Sequence, residues 1–295
     1  MFEQAPSGPM GTTMFEGGFE GHAGFEIAAG TVPGRAHALS GKPNQDALVV
    51  QRSAGALVVL VADGCGSAEK SEVGAWIGAH TLAAELVRAN RFDLEERRFW
   101  EGAQTRTLAL LRRTAVAMGG DLEEVVKGFF LFTVVGAVIA GDRACVFSLG
   151  DGLFAVNGEV SRLGPFPGNA PPYLGHALLD ERLAAQRRFV VHRTLRAADV
   201  ESILVATDGA TEWAEVESRP LPGTQELVGP LDQLWREDRF FDHPDALRRK
   251  LTRMNRVHVR PEWDARRLER EPGLLEDDTT VAVVRARKHT SRWAA

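Results

Sequence analysis

At 295 residues, with 44% hydrophobic and 25% charged side chains, the chain has the make-up of one large globular domain, and no linker divides it in two. A net charge of -5, with arginines scattered along helical stretches, offers nucleic acid no basic footprint. No apolar run approaches the ~18 residues of a membrane span, the N-terminus lacks a secretory layout, and Cys65 and Cys145 are too few for a disulfide framework, so a cytoplasmic location is expected.

Residues 1–24 are Gly-rich and repeat Phe-Glu irregularly, which reads as a loosely attached tail; a domain over 25–287 and a short tail at 288–295 follow. A weak strand is predicted at Phe25 to Ala29. Next come two apolar runs, Ala47 to Gln51 and Ala56 to Ala62, joined by a turn at Ala54-Gly55. A turn centred there puts residue 47 opposite 62, and by the same register Asp46 opposite Asp63. A helix is expected from Glu72 to Ala89, capped by Ser71, with Val73, Ile77, Leu82, Leu86 and Val87 forming its apolar stripe. A longer helical stretch covers Asp93 to Met118. Helices in succession between strands argue for α+β layering rather than alternating βαβ units.

Strands resume at Phe130 to Ala140 and Ala144 to Leu149, linked by Gly141-Asp142, and a second hairpin runs from Leu153 to Val156 and back from Glu159 to Leu163 around Asn157-Gly158. Consecutive hairpins imply antiparallel sheet. The Pro- and Gly-rich segment from Gly164 to Leu183 reads as an irregular excursion of the kind that borders a site. Strands at Arg188 to His192 and Ser202 to Thr207, helices at Gln225 to Arg236 and Pro244 to Met254, a solvated helix or loop at Arg260 to Glu271 and a last strand at Thr279 to Arg285 complete the domain. The six tryptophans, Trp76 and Trp213 among them, are expected to pack the core or its rim.

The informative residues are acids at the ends of these apolar runs: Asp46, Asp63, Asp208 and the pair Asp277-Asp278. Two carboxylates opposed at about 5 Å repel by roughly 3 kcal/mol at an effective dielectric near 20, so a positive charge is expected between Asp46 and Asp63. Carboxylate and carbonyl oxygens, with no His or Cys pair at ligand spacing, favour a hard cation over zinc.

The ordered motifs His37 with Gly41-Lys42-Pro43-Asn44-Gln45-Asp46-Ala47, Val61 through Ser67 (VADGCGS), FSLGDG, LVATDGATEW and DDTTVAVV resemble the metal-dependent protein phosphatases of the 2C type, in particular their bacterial branch, over about residues 27–286. The resemblance implies two stacked antiparallel β-sheets flanked by helix pairs, an α+β sandwich with the acids at one end. It implies hydrolysis of phosphoserine and phosphothreonine in proteins by a metal-activated water, with two Mn²⁺ or Mg²⁺ ions and no phosphoenzyme. Carried over by position, Asp63 bridges both ions, Asp46 binds directly or through water, the Gly64 carbonyl completes one shell, and Asp208 and Asp277 hold the other ion. Asp151 matches an acid associated with a third, weaker ion, or is a turn residue before Gly152. Asp278 stands where the family usually has an Asn that holds its neighbour. Phosphoprotein substrates and a cognate Ser/Thr kinase are the partners implied.

Three positions depart from the family pattern. Gly41 stands where many members carry a phosphate-gripping arginine, leaving Lys42, Arg35 or His37 to supply the cation. Cys65 replaces a frequent histidine and reads as either an activated thiol or a small space-filler. Gln45 replaces a glutamate, which removes a charge from the shell. His37 is a phosphate contact or a satisfied loop residue, and Ser67 a phosphate contact or a cap. A non-catalytic phosphoprotein-binding module of the same fold, and a two-metal phosphodiesterase, are the alternative readings; the acidic net charge counts against the latter.

Overall fold

A computed structural model describes residues 24–287, so the expectations for the two tails, Gly24 apart, lie outside the described residues. Two five-stranded antiparallel sheets carry the fold. The first contains β2 (Ala47–Arg52), β3 (Ala56–Gly64), β4 (Phe132–Ala140), β5 (Arg143–Leu149) and β8 (Val190–Arg196), adjacent in that order. The second runs β1 (Phe25–Val32), β12 (Thr279–Ala286), β9 (Ser202–Ala206), β6 (Gly152–Val156) and β7 (Glu159–Leu163).

Strand alternation explains why the central runs are apolar throughout. Leu57, Val59 and Val61 of β3 point into the layer between the sheets, against Val135, Ile139, Val205 and Val284. Their neighbours Val58, Leu60 and Ala62 face the opposite way, toward a helical layer. A strand buried on both faces has no polar side to display. The helical layer contains α2 (Ser71–Leu86), α3 (Arg97–Met118) and α4 (Leu122–Phe129). The second sheet is covered on its outer face by α5 (Trp213–Val216), α6 (Gln233–Arg236) and α7 (Ala246–Met254) around Trp213, Leu247 and Leu251.

The hairpin register is the one the turn dictates: Ala47 pairs with Ala62 and Arg52 with Leu57. Asn157 and Gly158 both take positive φ, 51° and 87°, as a tight two-residue hairpin turn requires.

Several local expectations are corrected. Ser71 is the first residue of α2 rather than its cap, and its hydroxyl donates to the Cys65 carbonyl. The helix also sits rotated from the expected stripe. Gly74, Ala75, Gly78 and Ala79 are buried while Val73 and Ile77 are only half-buried, because small residues let the helix approach the sheet closely. The short helix α4 occupies residues before β4, which begins two residues later than expected. Of the stretch 225–236 only the final turn is helical. Arg260 to Glu271 is neither helix nor loop but most of a hairpin, β10 (His258–Glu262) with β11 (Arg267–Glu271), where Arg260 pairs with Glu269 and Arg267 with Glu262 across the strands. Charge on both faces hides the period of two. Trp213 is buried, as expected, whereas Trp263 is 80% exposed and packs neither the core nor its rim, and Trp76 is 51% exposed. No described helix is long and apolar enough to cross a membrane.

Candidate metal centre

The acids converge where strand ends of the two sheets meet. Asp63 lies next to last in β3, opposite Thr133 of β4. The ladder to the first hairpin strand continues past Ala47, with the Gly64 N–H donating to the Gln45 carbonyl at 3.2 Å, so Asp46 and Asp63 face one another across it. Only glycine fits at 64: a Cβ there would stand 2.6 Å from the Gln45 carbonyl oxygen and 2.7 Å from the Ser71 hydroxyl.

Asp208 opens the short 3₁₀ turn after β9, close enough to Asp63 for its charge to act on that carboxyl. Burial pushes Asp63 well above the ordinary carboxylate range, and the charges of Asp46, Asp208, Asp277 and Asp151 push it further. Asp46 is raised likewise, by burial first and then by Asp278. Burial, with Asp277 and Asp151, moves Asp208 to about 6. Burial also raises Asp151. One oxygen of Asp46 accepts from the Thr207 hydroxyl at 2.8 Å, but its Oδ1 and the Oδ1 of Asp151 are buried without a partner among the described residues.

Unpartnered carboxylate oxygens and acids crowded enough to demand protons both mark a place for positive charge. The oxygen-only donor set suits Mg²⁺ or Mn²⁺. By contrast, a cavity of about 470 Å³ lined by Leu94, Trp100 and Phe189 includes none of these acids.

Asp278 turns away from this charge. Its Oδ1 accepts from the Gly34 N–H at 2.7 Å, and its Oδ2 from the Gln45 N–H at 2.5 Å and from His37 Nδ1 at 2.8 Å. Burial raises this carboxyl despite the three contacts. His37, Asp277 and Asp278 do bring possible ligand atoms within 4.8 Å of one another, but the protein already occupies both Asp278 oxygens. Asp277 is exposed, with Oδ1 accepting from the Asp278 N–H at 2.8 Å. His37 thus lies not in a loop but in α1 (Arg35–Ser40), buried against Asp278.

The departing positions have structural explanations. Gly41 is the left-handed cap of α1, with φ 70° and open space around it. Lys42 Nζ donates to the Gly66 carbonyl at 2.8 Å, which ties it to the loop after Asp63. Gln45 is buried, and its amide donates to the Ala68 carbonyl at 3.3 Å while its Oε1 has no partner among the described residues. Ser67 contacts the Cys65 thiol at 3.2 Å. Burial pushes the Cys65 thiol up, yet hydrogen bonds from Ser67, from the Tyr173 hydroxyl and from the backbone leave it below its ordinary value.

Sequence reasoning missed Thr207, Asn44 and Tyr173. Thr207 accepts from the Thr280 N–H at 3.0 Å while donating to Asp46, which locks β9 to β12 behind the acid. Asn44 accepts from the Asp46 N–H at 3.0 Å and donates to the Thr31 hydroxyl at 2.7 Å. Tyr173, the single tyrosine, lies in the Pro-rich segment; burial raises its hydroxyl, followed by Cys65, Asp63 and Asp151. The Asn-Gln-Asp and Thr-Asp strings were the available signals for the first two.

A family model described as protein phosphatase 2C matches residues 33–260. Among solved structures, the serine/threonine phosphatase Stp1 from Staphylococcus aureus superposes with a TM-score of 0.54 at 13% identity, covering 97% of this chain and 100% of its own. The catalytic domain of the serine/threonine protein phosphatase PstP, in complex with 2 manganese ions, gives 0.51 at 16% identity over 90% of this chain and 99% of its own. A bacterial serine phosphatase gives 0.52 at 14% identity, with 90% and 99% covered. No curated protein matches the sequence. At such identities the likeness is one of fold.

Proposed function

The chain belongs to the protein phosphatase 2C family, and from that premise we propose that it is a metal-dependent phosphoprotein phosphatase acting on phosphoserine and phosphothreonine, with residues 25–287 as its catalytic domain. The observation that carries this reading is the convergence of Asp46, Asp63, Asp151 and Asp208 with buried oxygens that no described residue satisfies. Asp46, Asp63, Asp208, Asp277 and the Gly64 carbonyl would hold two Mn²⁺ or Mg²⁺ ions, and Asp151 would serve a third, weaker one. Bound there, such ions supply an activated water and neutralise the phosphoryl oxygens.

The chain's own residues do the positioning. Thr207 and Asn44 aim Asp46 from opposite sides, and Asp278 with His37 clamps the backbone at Gly34 and Gln45. Its inward engagement leaves Asp278 a brace rather than a ligand. His37 is committed to that brace and Arg35 is paired with Glu276, so Lys42 and Ser67 are the remaining candidates from the motif loops for contact with substrate phosphate. Phosphorylated proteins are the substrates, a Ser/Thr kinase the natural counterpart, and the cytosol the compartment.

A non-catalytic phosphoprotein-binding role is the second reading, favoured by Gly41 and Cys65 in place of arginine and histidine. Phosphate release from a phosphothreonine peptide across an Mn²⁺ titration separates the two. Turnover that needs Mn²⁺ and drops at least 10³-fold in Asp63→Asn supports the enzyme. Tight peptide binding with no release at saturating Mn²⁺ supports the module.

A further inference from the structure

A second cavity, about 210 Å³, opens beside the acid cluster. Its floor is the end of β5, Ser148 to Gly150, immediately before Asp151, and its walls include Phe166 and Pro172. The Gly164 turn that closes one side packs against Asp151, whose Cβ is 3.6 Å from where a Gly164 Cβ would stand. One backbone layer therefore separates the cavity from the proposed metal centre.

The rim carries two arginines. Arg187, Arg188 and His192 line it, and no acid does so among the described residues. Arg188 is held by Glu101 at 3.6 Å. His192 bonds the Ser148 hydroxyl at 2.8 Å and stacks on Phe154. Arg187 differs from both. Its Nε is buried without a hydrogen-bond partner, and its guanidinium has no ion pair among the described residues. On the neighbouring strand, by contrast, Arg193 is matched with Glu159 and Arg196 with Asp199. A buried guanidinium donor left unpaired is a cost the fold accepts unless something from outside accepts its hydrogen bond.

We propose that this cavity is an anion subsite, in which Arg187 takes a second negative group of the phosphopeptide substrate. That group is a carboxylate or another phosphoryl carried a few residues from the one hydrolysed. The inference rests on the phosphatase reading for its substrate class. Its geometry follows from an extended peptide advancing about 3.3 Å per residue, so a side chain two or three positions away reaches past the single backbone layer. A guanidinium meets either anion with paired N–H donors, and no acid among the described lining residues competes for them.

The test compares three phosphothreonine peptides, with neutral flanks, with glutamates at the flanks, and with a second phosphothreonine three residues away. The wild type should show kcat/KM roughly tenfold or more higher for one or both anionic peptides than for the neutral one. Arg187→Gln should bring that ratio to about one, and Arg187→Lys should restore part of it. The ratio is its own control, because a folding defect lowers all three rates together. Whichever anionic arm carries the preference names the group. A wild-type ratio near one, or a ratio unchanged in Arg187→Gln, overturns the subsite. Should no peptide be turned over with Mn²⁺, the phosphatase reading falls by itself, and fluorescence anisotropy with the same peptides decides the subsite: anionic preference lost in Arg187→Gln supports it, and equal binding overturns it.

Discussion

Asp278 and Asp63 are both buried acids near the same strand ends, yet their surroundings give them opposite work. Asp63 faces other carboxylates, whereas Asp278 faces two backbone N–H groups and an imidazole. Removing the Asp278 side chain leaves the Gly34 and Gln45 donors and His37 without an acceptor in a site that is 3% exposed. Each unsatisfied buried donor costs about 1–3 kcal/mol, and partial access of water reduces the sum. Asp278→Ala should therefore lose roughly 3 kcal/mol by urea denaturation, and Asp278→Asn, which keeps one acceptor oxygen, clearly less. Because Gln45 precedes Asp46, the Ala variant should also lose turnover. A midpoint for Asp278→Ala within error of wild type would remove the clamp from the account.

At the scale of elements, the close approach at Gly64 joins β3 to the entry of the first hairpin strand and to the start of α2. Gly64→Ala would push a methyl group to 2.6 Å from a carbonyl oxygen, and such crowding costs about 1–3 kcal/mol. Gly55→Ala in the hairpin turn meets nothing within 4 Å and should change stability by less than about 0.5 kcal/mol. Comparing the two denaturation midpoints checks whether position 64 is a packing constraint; equal midpoints would show that it is not. The same contrast explains what the sequence could reveal. The first hairpin was legible because its register follows from one turn and from side-chain alternation, and the acids were legible because each ends an apolar run. The β10–β11 hairpin was not, since its stability comes from cross-strand ion pairs that leave no apolar period. The rotation of α2 was hidden because alanine and glycine count for little in an apolar stripe but allow the closest packing. Thr207, Asn44 and Tyr173 escaped notice for another reason. Their roles exist only once segments as far apart as residues 46 and 207 are brought into contact.

For the whole molecule, the acid cluster makes stability depend on pH and metal together. Asp46, Asp63, Asp151, Asp208 and Asp278 all have carboxyls raised above their unfolded values near 3.9. A raised carboxyl means that the folded state binds its proton more tightly than the unfolded chain does. Their contribution is thus fully present below about pH 4 and is lost as pH rises through each folded value, which for Asp208 is about 6. The displacement of Asp208 alone is worth on the order of 3 kcal/mol against the folded state at neutral pH. Surface acids paired with arginine, such as Asp199 and Asp245, are lowered instead and work in the opposite sense at the acid end. In EDTA the melting temperature should therefore peak at mildly acid pH and fall toward pH 8. Divalent cations bind the deprotonated cluster, so Mn²⁺ competes with protons, and the rise in melting temperature that it causes should be small at pH 5 and large at pH 8. Asp63→Asn removes one of the crowded charges; it should flatten the decline in EDTA and shrink the Mn²⁺ effect at pH 8. Thermal melts at pH 5, 6, 7 and 8, with EDTA and with Mn²⁺, read all three changes. A Mn²⁺ shift equal at every pH, or one retained in full by Asp63→Asn, would mean that the acids do not form one cation-binding charge cluster.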